Sequence, residues 1–361
     1  MRFLLRCGAA LALVFLAFLM RTRAQGPAQP TAPPQSSAPS QPAQAPQQGQ
    51  GQQPPNYSIA VTVPVVNVDA VVTDNDGNYV SGLKKENFRI LEDGQPQEIS
   101  GFSTGDAPIT VVLLMEFNMR GFGYYNYTGI RWADQFLREM RPKDWIALES
   151  FSIRPNVEVD FTHDPREIEQ GLASMTIPPA FIEANLFDAV ADVIDRLRDV
   201  KGRKAVLVLA SGADTFSRLT FDKIQARLKE TDVNVFCVGV AEQLALQEEM
   251  FGGAGTTSLS YIQAQQQLKT FAALTGGRYW APRFDGEVPG IMADVANSLR
   301  NQYSLAYTPS NSTPDGKYRK IKVALVGNDG GPFVINNAKG KPVKVVVYAR
   351  QGYTAPKSDV N

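Results

Sequence analysis

The chain has 361 residues, with 36 Lys+Arg, 36 Asp+Glu, one His and two Cys. Its length allows two or three domains, and 43% hydrophobic and 9% aromatic residues suffice for a packed core. Balanced charge argues against a general nucleic-acid binder. So few His and Cys argue against a zinc site, a haem site or a disulfide framework, and a Ser-His-Asp hydrolase would have only His163 to use.

Residues 1–24 read as a secretory signal peptide. Arg2 and Arg6 precede an apolar run from Cys7 to Met20, and Thr22-Arg23-Ala24 supplies small residues before Gln25. An uncleaved anchor is the alternative, although the run is short for a bilayer. Removal of this segment takes four Arg and no acids, leaving 32 Lys+Arg against 36 Asp+Glu. It leaves Cys237 as the one cysteine, inside an apolar strand, where a buried free thiol is expected. Residues 25–56 are almost entirely Gln, Pro, Ala, Gly and Ser, a disordered tether.

Residues 57–106 read as β structure. Val61 to Val72 is a β-branched run, and Asp74-Asn75-Asp76-Gly77-Asn78 and Asp93-Gly94 are turn signals. A calcium loop is not expected at Asp74, because Tyr79 and Lys85 stand where its Gly and Glu belong. Residues 107–300 alternate. Strands are expected at 109–115, 145–151, 157–161, 204–210, 233–240 and 279–280. Helices are expected near 130–140, 186–197, 221–228, 265–275 and 288–299. The pattern predicts an α/β fold with a doubly wound, mostly parallel sheet, Rossmann-like, with helices on both faces. Residues 301–356 return to β, with strands near 303–307, 320–326 and 343–348. They are expected to pair with 57–106 in an all-β, possibly Ig-like, sandwich.

Val111 to Gly121 resembles the first strand and loop of a von Willebrand factor type A domain. Leu186-Phe187-Asp188-Ala189 resembles the start of its middle helix, and Ala205 to Thr215 its fourth strand and loop. The flanks Val68 to Asp74, Leu91-Glu92-Asp93-Gly94, Thr275-Gly276-Gly277-Arg278 and Tyr303 to Pro309 are similar to the bacterial VWFA-related family of acidobacterial type. The likeness spans roughly 60–355 and lies in the order of the pieces. It implies a ligand site at one sheet end. Ligands of open α/β sheets bind where the strand order reverses, and the resemblance puts that point between the first and fourth strands, at Glu116–Arg120 and Ser211–Asp214.

Type A domains often hold a metal ion there with Asp-x-Ser-x-Ser, a middle-loop Thr and a later Asp. This chain has Glu116, Asn118 and Arg120 in the first motif, Ala184 for the Thr and Ser211 for the last Asp. Glu116, Asn118 and Ser211 still offer oxygens. Ala184 offers none, and Arg120 adds a repelling charge. The degenerate adhesion site of Glu116, Asn118, Arg120, Ser211 and Asp214 is therefore expected to bind without metal. Mg2+ or Mn2+ on Glu116, Asn118 and Ser211 is the alternative, with Glu183 or Asn185 replacing what Ala184 lacks.

Arg120 has two readings. It fills the ion's place and offers a fixed cation to an acidic partner, or it is a solvated loop arginine. Phe122, Tyr124, Tyr125 and Tyr127 form either a partner-contact loop or cover for neighbouring elements. His163 reads as a turn residue, Gly252–Thr257 as a flexible insertion, and Asp188, Asp192 and Asp195 mostly as a solvated helix face. No nucleophile and base pair up in the sequence, so an envelope-acting hydrolase is the remote alternative. The expected protein is a non-enzymatic, protein-binding module, secreted or periplasmic, in a bacterial cell envelope. It meets no nucleic acid, and a membrane only through an uncleaved signal segment.

Overall fold

The computed structural model describes residues 65–105, 107–118, 129–175, 182–243, 257–336 and 340–357. The signal segment, the tether, Arg120 and the Phe122–Tyr127 loop lie outside them. Described strands in chain order are β1 (Val66–Asp74), β2 (Phe88–Glu92), β3 (Gln95–Gln97), β4 (Ile99–Ser103), β5 (Ile109–Glu116), β6 (Trp145–Phe151), β7 (Pro155–Thr162) and β8 (Arg203–Ala210). They continue with β9 (Asn234–Gly239), β10 (Tyr279–Trp280), β11 (Gln302–Tyr307), β12 (Tyr318–Leu325), β13 (Ile335–Asn336), β14 (Pro342–Val343), β15 (Val345–Ala349) and β16 (Gly352–Thr354). The α-helices are α1 (Ile130–Leu137), α2 (Pro165–Ser174), α3 (Leu186–Leu197), α4 (Phe221–Glu230), α5 (Thr257–Thr275) and α6 (Val288–Arg300).

β5, β8 and β9 are unbroken apolar runs because helices cover both faces of their sheet. Its order is β10-β9-β8-β5-β6-β7, parallel throughout except for β7, which runs antiparallel to β6 at the edge. Strand alternation divides β5 between two cores. Val111, Leu113 and Met115 pack with residues of α1, α2 and α6, while Val112 and Leu114 pack with α3, α4 and α5. Each such buried side chain contributes roughly 1.5–3 kcal/mol. Cys237 is buried within the second core.

The helix ends follow local chemistry. Asp164 caps α2 through the Arg166 N–H at 3.0 Å, with Pro165 in the first turn. Thr220 caps α4. α5 begins at Thr257, not near 265 as the sequence suggested. Its first two turns bury Tyr261 and Ala264, in line with Leu268, but leave Ile262 65% exposed, which blurs the apolar side in the sequence.

The flanking segments make two further antiparallel sheets, β15-β1-β11-β4 and β16-β12-β2-β3, and β13 pairs with β14. In the first, Val68 lies opposite Leu305; in the second, Ile90 lies opposite Val323. Their inward residues share one core, including Val68, Ala70, Phe88, Ile90, Leu305 and Tyr307. The chain thus leaves this core after β4, builds the α/β layer and returns at β11. Asp74 closes its turn by accepting the Asp76 and Asn78 N–H groups, the work of a turn residue.

Candidate functional site

β5 leads outward through β6 to β7, and β8 leads the other way through β9 to β10. The switch point therefore lies between β5 and β8. Glu116 ends β5, and Ser211 follows β8 directly. Glu116, Asn118 and Ser211 are all buried. The fold brings together three of the residues singled out in the sequence.

The Glu116 carboxylate is engaged on both oxygens. Oε1 accepts Asn118 Nδ2 at 2.9 Å, and Oε2 accepts the Ser211 backbone N–H at 2.6 Å. The same Asn118 amide donates to the Glu183 carbonyl at 3.2 Å. One carboxylate thus binds the end of β5 to the start of the β8 loop, and Asn118 extends the link to the middle loop. Ser211 Oγ accepts the Ala213 N–H at 3.2 Å.

Asp214 stands beside this core rather than in it. Its Oδ1 accepts the Phe187 N–H at 3.1 Å and the Ser217 hydroxyl at 2.5 Å. Ser217 Oγ in turn accepts the Asp188 N–H at 3.1 Å. These two residues cap α3 from another loop, because Asn185 at its N-cap makes no side-chain cap. Asp188 reciprocates by accepting the Arg218 and Leu219 N–H groups. It is therefore a loop clamp, while Asp192 and Asp195 lie exposed on the helix, as expected for most of that group. Burial pushes the Asp214 carboxyl above its usual range, against the pull of Ser217 and the Phe187 N–H.

Ala184 is buried and supplies no side-chain oxygen. Its N–H donates to Thr215 Oγ1 at 2.9 Å, and its carbonyl accepts the Thr215 and Phe216 N–H groups. Sequence matching missed Thr215, whose hydroxyl reaches the middle loop from the far side. Next to Ala184, Asn185 is buried, and its Oδ1 has no hydrogen-bond partner. Glu183 turns its Oε2 to the Ile182 N–H.

An adhesion-type metal would need oxygens free to turn toward it. Glu116 and Ser211 keep a lone pair beyond the N–H groups they accept, and Asn185 Oδ1 has no partner. Yet Asn118 points its amide nitrogen at Glu116, Ala184 offers no oxygen and Glu116 is the one carboxylate in the cluster, so the donor set falls short of the six-oxygen pattern. Among the described residues, no three His, Cys, Asp or Glu gather as a metal group.

Around the site, Ile182 and Phe216 are 51% and 55% exposed. Away from it, exposed His163 sets its Nδ1 2.8 Å from the Asp144 carbonyl and its ring 3.7 Å from that of Trp145. No described helix is long and apolar enough to cross a membrane.

No protein-family model and no curated protein matches the sequence. Solved structures similar to this one are von Willebrand factor type A domain proteins. BatB from Bacteroides thetaiotaomicron is 13% identical over 54% of this chain and 100% of its own, with a TM-score of 0.40. The vWF domain of the pilus tip protein Mfa5 from Porphyromonas gingivalis is 10% identical over 53% and 95%, with a TM-score of 0.39. Proximal thread matrix protein 1 from the mussel byssus, solved with a zinc-occupied MIDAS motif, is 13% identical over 58% of this chain and 50% of its own, with a TM-score of 0.43. The match thus spans half the length of the mussel protein.

Proposed function

We propose that this chain is an exported, non-enzymatic protein-binding module of the VWFA-related kind, acting without metal in a bacterial cell envelope. The observation that carries the metal-free reading is the double engagement of Glu116. A carboxylate that joins β5 to the β8 loop is a structural tie, and withdrawing it for an ion would release the Ser211 N–H and the Asn118 amide together. The surface above it offers Ile182 and Phe216 as apolar contacts of the sort that anchor partners. In this reading the sheets of the flanking segments form an Ig-like mount, and the Pro/Gln-rich segment is its tether.

A second reading is favoured by Asn185 Oδ1, a buried oxygen without a partner. In that reading a divalent ion is held by Asn185 and Glu116, and an acidic partner completes its shell.

Immobilised full chain, presented with envelope extract, separates these readings. The metal-free module retains its partner equally in EDTA and in magnesium, and an Ile182→Asp, Phe216→Asp double variant loses it. Retention that depends on magnesium supports the second reading.

A further inference from the structure

The sheet β16-β12-β2-β3 turns one face to the core of the flanking segments and the other outward. Strand alternation sorts its side chains. Phe88, Ile90 and Glu92 of β2 and Arg319 and Ile321 of β12 are buried. Arg89, Leu91, Tyr318, Lys320 and Lys322 therefore stand on the outward face. A groove of about 340 Å3 crosses it, walled by Leu91 and Tyr318 and flanked by Lys320 and Lys322. Register places Leu91 directly opposite Lys322. Tyr318 lies against Gly352 of β16, where a Cβ would come within 2.6 Å of the ring.

The charge on this face has one sign. Its strands carry Arg89, Lys320 and Lys322 outward and no outward carboxylate, because Glu92 points into the core and pairs there with Arg319 at 3.4 Å. Lys229 of α4 adds a cation at the groove's end, with its Nζ 5.2 Å from the centroid of the Tyr318 ring. Arg89, Lys320 and Lys322 are exposed. Among the described residues, neither the Lys320 nor the Lys322 ammonium has a carboxylate partner. This excess sits on a chain whose residues 25–361 are acidic in sum.

We propose that this face docks an acidic, extended segment of a protein partner, with carboxylates on Lys320 and Lys322 and an apolar side chain in the groove between Leu91 and Tyr318. Residues two apart on a strand present side chains about 6.8 Å apart on one face. An extended ligand laid along β12 repeats that spacing, so alternate carboxylates meet both lysines. The charges set orientation and encounter rate, and the apolar side chain supplies the anchor. A bilayer is the poorer fit, because interfacial contacts need apolar side chains that protrude, and Leu91 and Tyr318 are half-buried walls. The surface belongs to the flanking sheets and does not rest on the reading of the β5–β8 switch point.

Fluorescence anisotropy of a labelled peptide of alternating Glu and Leu, titrated with the full chain, tests this. Saturable binding is expected, and a peptide with Gln for Glu binds about tenfold more weakly. Lys320→Glu and Lys322→Glu together weaken binding of the Glu peptide at least as much. They also confer binding of a Lys–Leu peptide, a gain that damage to the fold does not produce. Leu91→Ser weakens binding of the Glu peptide too, an effect that charge alone does not give. No saturable binding of the Glu peptide at millimolar concentration overturns the proposal. So does binding that the charge reversal leaves unchanged. Retention on phosphatidylglycerol vesicles with no binding of the peptide overturns it as well, and makes the face a membrane contact.

Discussion

Glu116 Oε2 accepts the Ser211 backbone N–H at 2.6 Å, so the last residue of β5 holds the first residue of the β8 loop. Both are buried, and the other carboxylate oxygen holds Asn118. One carboxylate thus ties the end of β5 to the start of the β8 loop at the switch point.

Glu116→Ala removes the acceptor from two donors at once, one of them a backbone N–H. A buried donor without an acceptor costs about 1–3 kcal/mol. Chemical denaturation is expected to show a loss of about 2–4 kcal/mol for this variant. A loss near zero would mean that the carboxylate is not a tie.

Gly212 follows Ser211 at φ +85°, a conformation that side chains rarely adopt. A Cβ there would lie 2.3 Å from the Ala264 carbonyl oxygen of α5. Gly212→Ala therefore strains the site loop and pushes it off α5. A drop in stability of about 2 kcal/mol or more is expected in the same denaturation assay. Wild-type stability would show that the loop moves freely.

Glu149 is buried in the middle of β6, with Arg196 paired to Oε1 and Oε2 left without a partner. Burial is the main cause that pushes its carboxyl up from 4.5 to about 7, against the Arg196 charge; Asp192 and Asp160 add to the rise. The folded state thus holds this proton more tightly than the unfolded chain does. Its contribution is full below about pH 4.5 and is lost as pH rises through 7. The difference amounts to about 3 kcal/mol. Glu149→Gln is expected to flatten stability against pH across that window relative to the wild type. Parallel curves for the two proteins would contradict this.

Arg278 joins the α/β layer to the flanking sheets. Its Nη1 donates to Tyr79 Oη at 2.9 Å, Ser298 Oγ at 3.0 Å and Asp294 Oδ1 at 3.1 Å. Its guanidinium carbon lies 4.9 Å from the ring centroids of Trp280 and of Tyr348 on β15. Arg278→Met leaves Asp294 without its cation and is expected to cost about 3 kcal/mol. Arg278→Lys recovers only part, since an ammonium lacks the planar face that stacks between two rings. Full recovery by Lys would reduce the contact to simple charge.

The strands of the central sheet were legible because Ile109–Met115, Lys204–Ala210 and Val233–Val240 are long apolar runs, and buried parallel strands need that pattern. The switch point came from the resemblance to a type A domain, and the sheet order then brings Glu116, Asn118 and Ser211 together. What the sequence hid depends on contacts between distant segments. Thr215 supports Ala184 from 31 positions away, and Asp214 and Ser217 cap α3 across a loop. Glu149 interrupts an apolar strand, a visible signal, but its partner Arg196 is on another element. The start of α5 was missed because Ser260 and the exposed Ile262 blur the side on which Tyr261 and Ala264 are buried.

Titration calorimetry of the full chain with magnesium, manganese and calcium tests whether this sheet end works without metal. No saturable heat is expected with any of the three, and no rise in the unfolding midpoint. One-to-one binding that is lost in both Glu116→Ala and Asn185→Ala would contradict it, and would make this sheet end a metal-assisted site.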